Sequence, residues 1–391
     1  VMATGIKRTP SSASHGPGRF EGSSCILAGS AGERLAEEVC GLLGVPQTGC
    51  KVEKFNDGEC SVQIEASVRG FQTYVMQSTC HPVNDNVMEL SLIMGALRRA
   101  SAERIVAVVP YYGYGRQTRK MTSRVPISAA DVATILEEQG LDQIVTVDVH
   151  AGQIAGFFSP RCSLDNLSVI PAAARFFWQN GQHGAVVIAP HATGVARAKE
   201  FYDELQLAGT QAREAAAAAG DDAAAGPPAQ DATLAMLLPT RESDGSKRLE
   251  LIGEVAGREV IIVDSLIDSG GTIARGAAEL KARGAARVFA FATHGLFTGE
   301  AFNVIADADV DLVVTTNTVA NVASALPVSH PARRKLAILS VAPILAHHMA
   351  EIAGLPAPEI DPATPVFSMH GFSDARECPH PPPSPPPLPP L

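Results

Sequence analysis

The sequence reads as an α/β protein of two tandem domains, each a mainly parallel sheet with helices on both faces. Three observations point there. Short β-branched runs alternate with amphipathic segments, which is how strands look when crossover helices bury both faces of their sheet. The alternation occurs in two series of similar plan. A chain of 391 residues at 46% hydrophobic content is also enough for two ordinary cores and long for one.

In the first series, "TYVMQS" (73–78), "RIVAVVPYY" (104–112) and "QIVTVDVH" (143–150) are expected strands, separated by helices over 84–100 and 128–139. The second series has strands at "GAVVIAP" (184–190), "REVIIVD" (258–264), "RVFAFATH" (287–294) and "DLVVTTNT" (311–318), with helices over 193–206, 272–283 and 299–306. This places a first domain at 24–168 and a second at 169–355. Within the second, 208–231 is low-complexity Ala, Gly, Pro and Asp and reads as an exposed insertion. Residues 1–23, rich in Ser and Gly, read as a disordered transit segment or loose terminus. In the tail, 356–391, "PHPPPSPPPLPPL" can only be polyproline II or unstructured, either docking on an aromatic groove or inert.

Composition excludes some classes. With 41 acids against 31 bases and a net charge of -10, the chain as a whole is repelled by nucleic acid and anionic membrane. No apolar run approaches the roughly 18 residues that span a bilayer. The seven cysteines form no C-x-x-C pair, which suits a reducing compartment. The expectation is a soluble cytoplasmic protein, with a plastid or other organelle left open.

Open α/β sheets hold their ligands at the carboxyl ends of strands. "IIVDSLIDSGGTIARG" (261–276) runs from a strand through Asp264, Ser265 and Asp268 into a Gly-Gly-Thr turn that opens a helix. The backbone N–H groups of Ser269, Gly270, Gly271 and Thr272 are positioned for a phosphate, and the two acids for sugar hydroxyls. The plainer alternative is a strand-to-helix turn with Asp268 or Ser269 as N-cap. "PYYGYGRQTRK" (110–120) offers Arg116, Arg119 and Lys120 to a polyphosphate, or simply to solvent. "TVDVHAGQIAGFF" (146–158) ends a strand with Asp148 and His150, where an imidazole ligates a metal and the carboxylate orients it, unless His150 is a structural hydrogen-bonding residue. "FNDGE" (55–59) reads locally as a hairpin turn.

The order and spacing of these blocks are more specific than any one of them. Together with "ASVRG" (66–70), "QSTCHPVNDNVMEL" (77–90) and "VVTTNTV" (313–319), they closely resemble the ribose-phosphate pyrophosphokinase (PRPP synthetase) family, from about Ser24 to Ala353. The resemblance implies two phosphoribosyltransferase-type domains, assembly through dimers into hexamers, and Mg²⁺-dependent transfer of the diphosphoryl group of ATP to ribose 5-phosphate. It implies that Phe55, Asp57 and Glu59 lie at the adenine side of an ATP site across a subunit interface, and that Arg116 and Gln117 contact ATP. It further implies that His150 ligates Mg²⁺ and that Asp264, Asp268, Ser269, Gly271 and Thr272 hold ribose 5-phosphate.

Three positions depart from the family pattern. "PHATG" (190–194) has His191 where the family has a metal-ligating acid, a weaker partner for a hard cation. Ser265 replaces the second of two adjacent acids. The stretch "LAMLLPTRESDGSKR" (234–248) aligns Pro239 and Thr240 with the basic residues of the catalytic loop, leaving Arg241 to cover one role. These losses resemble the non-catalytic PRPP synthetase-associated subunits, and "ATHGLFTGEA" (292–301) is similar to theirs. The expectation is a divergent subunit that binds ribose 5-phosphate and nucleotide, assembles with catalytic subunits and has reduced or absent catalysis; the alternative is an active diphosphokinase. A nucleobase phosphoribosyltransferase shares the sugar loop but not "FNDGE" or "RQTRK".

Overall fold

Two parallel sheets stand in tandem along the chain. In the structure, a computed structural model, residues 24–219, 232–241, 247–320, 322 and 325–368 are described. The expectations for 1–23, for most of the insertion and for 369–391 of the tail fall outside them.

The first unit contains β1 (Ser24–Ala28), α1 (Glu33–Leu43), β2 (Cys50–Lys54), β3 (Cys60–Ile64), β4 (Gln72–Met76), α2 (Val83–Arg99), β5 (Arg104–Val109), α3 (Ser128–Glu138), β6 (Gln143–Val147) and β7 (Ser163–Leu167). Its five-stranded sheet has the order β1-β4-β5-β6-β7, parallel throughout. Such a sheet is covered on both faces, which is why β5, "RIVAVV", is buried at every residue after Arg104. The covering helices are amphipathic: α2 buries Leu90, Ile93, Met94 and Leu97, one stripe at helical spacing. β2 and β3 form a separate antiparallel hairpin, and "FNDGE" is its turn, with Gly58 at φ 94° where a side chain is strained.

After α4 (Ile170–Gln179), the second unit contains β8 (Val186–Ala189), α5 (Val195–Ala219), β9 (Thr233–Arg241), β10 (Lys247–Ile252), β11 (Glu259–Ile267), α6 (Gly271–Ala282), β12 (Arg287–Gly295), α7 (Ala301–Asp307), β13 (Leu312–Thr316), β14 (Leu336–Leu339) and α8 (Ala342–Ala353). Its sheet has the order β10-β9-β8-β11-β12-β13-β14, parallel except for the edge strand β10. A core continuous between the sheets includes Ile26, Met76 and Val108 of the first and Val187, Phe291 and Leu339 of the second. Phe177 of α4 lies in it, edge-on to Phe201 and Phe289 at ring-centroid distances of 5.8 and 6.1 Å.

Two segments differ from expectation. The helix expected over 193–206 runs on to Ala219, because the alanine run read as insertion is made of the strongest helix former. "LAMLLPTRESDGSKR" is the hairpin β9–β10, with Pro239 opposite Leu249 and Arg241 opposite Lys247; 242–246 lie outside the described residues. Pro239 fits there because β9 pairs with β8 only as far as Met236, so no β8 carbonyl needs the N–H that proline lacks. Among the described residues, no helix is long and apolar enough to cross a membrane.

Candidate functional site

A cleft of about 1090 Å³ opens where the carboxyl ends of β6, β8 and β11 face one another, and Arg116, His150, His191, Arg197 and Asp264 line it. It leads into a smaller cavity of about 210 Å³ against the turn Asp268–Thr272.

The turn leads into α6 through a left-handed glycine. Gly270 adopts φ 77°, and a Cβ there would stand 3.3 Å from the carbonyl of Ala301. Helix α6 then starts at Gly271 with no side-chain cap, so neither Asp268 nor Ser269 serves as N-cap and the first amides keep their donors for a ligand. Asp268 instead accepts hydrogen bonds from Thr298 Oγ1 and, at 2.6 Å, from Arg116 Nη1; these two donors hold its carboxyl below the usual range. Arg275 brings Nη1 to 3.1 Å from where a Cβ on Gly271 would be, adding a positive charge beside the turn.

Asp148, expected to orient His150, points elsewhere. At φ 42° the chain turns, sending the carboxylate inward and His150 out into the cleft. Asp148 Oδ2 accepts from Thr293 Oγ1 at 2.7 Å and from the Val169 amide at 3.3 Å, and Oδ1 lies 3.5 Å from Arg197 Nη1. Burial pushes its pKa up, and Arg197 and Thr293 pull it back. The residue that holds His150 is Ser265, whose Oγ lies 3.1 Å from the ring Nδ1. Burial lowers the pKa of His150, favouring neutral imidazole.

His191 opens the turn into α5. Its Nδ1 is 2.9 Å from Thr193 Oγ1, and its Nε2 is 3.5 Å from Asp264 Oδ1, long for a hydrogen bond. Contact with Asp264 raises the His191 pKa. Mg²⁺ prefers six oxygens at octahedral geometry. Here two imidazoles flank one carboxylate, and among the described residues no three acidic, His or Cys side chains surround one point. The residues present do not fit a resident Mg²⁺.

Arg116, Gln117 and His150 of the first unit and Asp264, Asp268, Ser269, Gly270, Gly271 and Thr272 of the second line these two connected cavities. Phe55, Asp57 and Glu59 do not join them; they form the hairpin tip, with Phe55 57% exposed and Asp57 Oδ1 accepting from the Glu59 amide at 3.1 Å. Arg241 lies in β9, opposite Lys247. Arg197 and Arg275 were not foreseen: each sits inside a helix, with no local pattern to mark it.

The match to known proteins covers both units. Residues 24–140 match the N-terminal domain of ribose phosphate pyrophosphokinase, and 181–352 match the phosphoribosyl synthetase-associated domain. The ribose-phosphate pyrophosphokinase of Vibrio parahaemolyticus is 38% identical over 330 residues, covering 84% of this chain and 95% of the relative. The chain belongs to the ribose-phosphate pyrophosphokinase family. The Clostridium tetani member of that family is 36% identical, covering 84% of this chain and 93% of its own length. The solved phosphoribosylpyrophosphate synthetase of Mycobacterium smegmatis superposes with a TM-score of 0.72 at 31% identity, over 85% of this chain and all of the other. The family fold thus carries His191 and Ser265 as side chains of the cleft itself.

Proposed function

We propose that this chain binds ribose 5-phosphate and the Mg²⁺ complex of ATP and transfers the β,γ-diphosphoryl group to the sugar's 1-hydroxyl, giving PRPP and AMP, at a reduced rate. The observation that carries this reading is the facing of Arg116 and His150 across one cleft toward the uncapped turn Asp268–Thr272. The sugar 5-phosphate takes the turn amides, with Arg275 nearby, and Asp264 and Asp268 accept ribose hydroxyls. Arg116, Gln117 and the basic loop receive the polyphosphate, whose own Mg²⁺ comes in with the substrate. The 1-hydroxyl oxygen then attacks the β-phosphorus and its proton passes to solvent, the bond from the β-phosphorus to the bridging oxygen breaks, and AMP leaves with that oxygen. Such a transfer depends on positioning and charge neutralisation more than on covalent help.

The reduced rate rests on Pro239, where the family carries a basic transition-state donor whose loss typically costs about 10² to 10³, and on His191 and Ser265, each of which replaces an acid. Phe55, Asp57 and Glu59 are taken to complete a neighbouring subunit's ATP site in a homo- or hetero-oligomer, which their exposed hairpin tip favours. Six free cysteines among the described residues, with burial pushing Cys25 up to about 11 and Cys40 and Cys162 up to about 12, favour a reducing compartment such as the cytoplasm. A full-rate enzyme is the second reading, favoured by relatives of 36 to 40% identity that carry the enzyme's name.

The deciding assay supplies purified protein with ATP, Mg²⁺ and ribose 5-phosphate and follows AMP. Slow turnover, below about one per second, is expected; the ordinary enzyme range begins near there. Faster turnover selects the second reading. No AMP at all, with ribose 5-phosphate still bound, leaves an assembly subunit and overturns both.

A further inference from the structure

The loop after β12 grips the turn Asp268–Thr272 from outside the cleft. We propose that Thr298, in that loop, is a positioning residue for ribose 5-phosphate: it holds Asp268 by Oδ1 so that Oδ2 stays aimed into the cavity once Arg116 leaves it for a polyphosphate. The inference rests on the proposed function, whose sugar phosphate is the ligand concerned.

Thr298 holds Asp268 at two points. Its amide donates to the Asp268 carbonyl at 3.1 Å, and its hydroxyl donates to Oδ1. The other oxygen, Oδ2, is the one that meets Arg116 at 2.6 Å. Asp268 lines the 210 Å³ cavity and Thr298 does not, so Thr298 acts on a bound sugar through Asp268 and not by contact. A carboxylate with neither partner turns freely about its broad terminal torsion, and an incoming hydroxyl has to order it. A donor already on Oδ1 removes that cost before the ligand arrives.

The loop is itself held in place. The Leu296 and Phe297 amides both donate to the Ile267 carbonyl, at 2.8 and 3.3 Å, which carries the pairing of β11 with β12 one step past the Ile267–Gly295 pair. Phe297 adopts φ 45°, a left-handed conformation that is strained for a bulky side chain and persists only where its surroundings over-determine it. Here they do. Its ring is 7% exposed, stacks on Phe302 at a centroid distance of 4.9 Å, and lies so close over Gly295 that a Cβ there would stand 2.4 Å from Phe297 Cε2. The strained residue immediately precedes Thr298, where the chain must turn for amide and hydroxyl to reach Asp268 together. Helix α7 supports both partners: the Ala301 amide donates to the Thr298 carbonyl at 3.2 Å, and the Ala301 carbonyl backs Gly270 of the turn.

The test titrates ribose 5-phosphate by calorimetry into the full-length chain, Thr298→Val and Thr298→Ser, each saturated with a non-hydrolysable ATP analogue. Valine keeps the shape and the backbone hold but loses the hydroxyl, and Thr298 is exposed, so the fold survives the change. Ribose 5-phosphate binding is expected to weaken about tenfold in Thr298→Val, the low end for a hydrogen bond to a charged group. Thr298→Ser restores it, and the affinity of the analogue itself changes far less. In the free protein, carbon-13 NMR titration of the Asp268 carboxyl should show its pKa rise in Thr298→Val, because the Thr298 hydroxyl leads in holding it down. A general loss of stability does not produce that pattern. A wild-type chain that binds no ribose 5-phosphate fails the proposed function and takes this inference with it. Wild-type binding that Thr298→Val matches, a loss that serine does not repair, or an equal loss of the ATP analogue overturns the role of Thr298 alone.

Discussion

Arg116 Nη1 lies 2.6 Å from Asp268 Oδ2, an ion pair that spans the cleft from the loop after β5 to the turn after β11. On the proposed function, the cation meant for a polyphosphate is here paired with a carboxylate meant for a sugar, so binding either ligand would part the pair and free a group for the other. The resulting coupling is reciprocal by thermodynamic necessity. The pair is half exposed on the arginine side, so the effect belongs near the small end of the usual range. A non-hydrolysable ATP analogue should tighten ribose 5-phosphate binding about fivefold in calorimetry. Arg116→Ala should abolish that enhancement; coupling of the same size in the variant would show that the pair does not transmit it.

His294 gives the protein a sensitivity to mild acid. It is fully buried, donates Nε2–H to the Asp148 carbonyl at 3.2 Å and has Nδ1 2.9 Å from Thr318 Oγ1. Burial leads in holding its pKa down to about 3, against 6.5 for the free side chain. Between those values the unfolded chain takes up a proton that the folded chain refuses, so stability falls as pH drops below about 6.5. Urea midpoints measured at pH 7 and pH 5 should separate more in the native protein than in His294→Gln. An equal separation in both would assign the acid sensitivity to other groups.

Much of the fold was legible because a parallel sheet buried on both faces advertises itself: "RIVAVV" and "REVIIVD" are near-continuous apolar runs, and β5 and β11 lie there. The glycine turn into α6 was legible for a similar reason, since Gly-Gly-Thr after a strand marks a tight entry into a helix. What escaped was decided across the cleft. Nothing local in "TVDVH" says that Asp148 turns inward at φ 42° while Ser265, 115 residues along, takes over His150. Arg197 acquires its meaning in the same way, through a partner in the other sheet's unit. The insertion misled because its alanines are equally suited to low complexity and to helix.

The same clamp has an energetic consequence. Arg197, 18% exposed, faces Asp148, 5% exposed, and also donates through Nη2 to the Val149 carbonyl at 3.3 Å. Removing one partner of a buried pair strands the other's charge, at a typical cost of about 3 to 5 kcal/mol. Arg197→Gln should lose that much by urea denaturation, whereas adding Asp148→Asn to it should recover part of the loss. A double variant no more stable than the single one would mean that Asp148 is not left charged.

Ser265 offers the sharpest trial of the proposed rate defect. It is 5% exposed, and its Oγ is the contact of His150 at 3.1 Å. Ser265→Asp puts a carboxylate beside the imidazole, which favours imidazolium and should raise the His150 pKa from its burial-lowered value, readable by NMR titration of the ring. It also restores the adjacent pair of acids that the family pattern carries, so AMP release should rise about tenfold or more if the missing acid limits transfer. The cost is a charge in a tight place, and a loss of roughly 1 to 3 kcal/mol of stability is expected unless His150 compensates it. The two readouts divide the possibilities. A raised His150 pKa without faster AMP release would place the defect at His191 or Pro239 instead, and Pro239→Lys in the same background would then be the change that restores turnover.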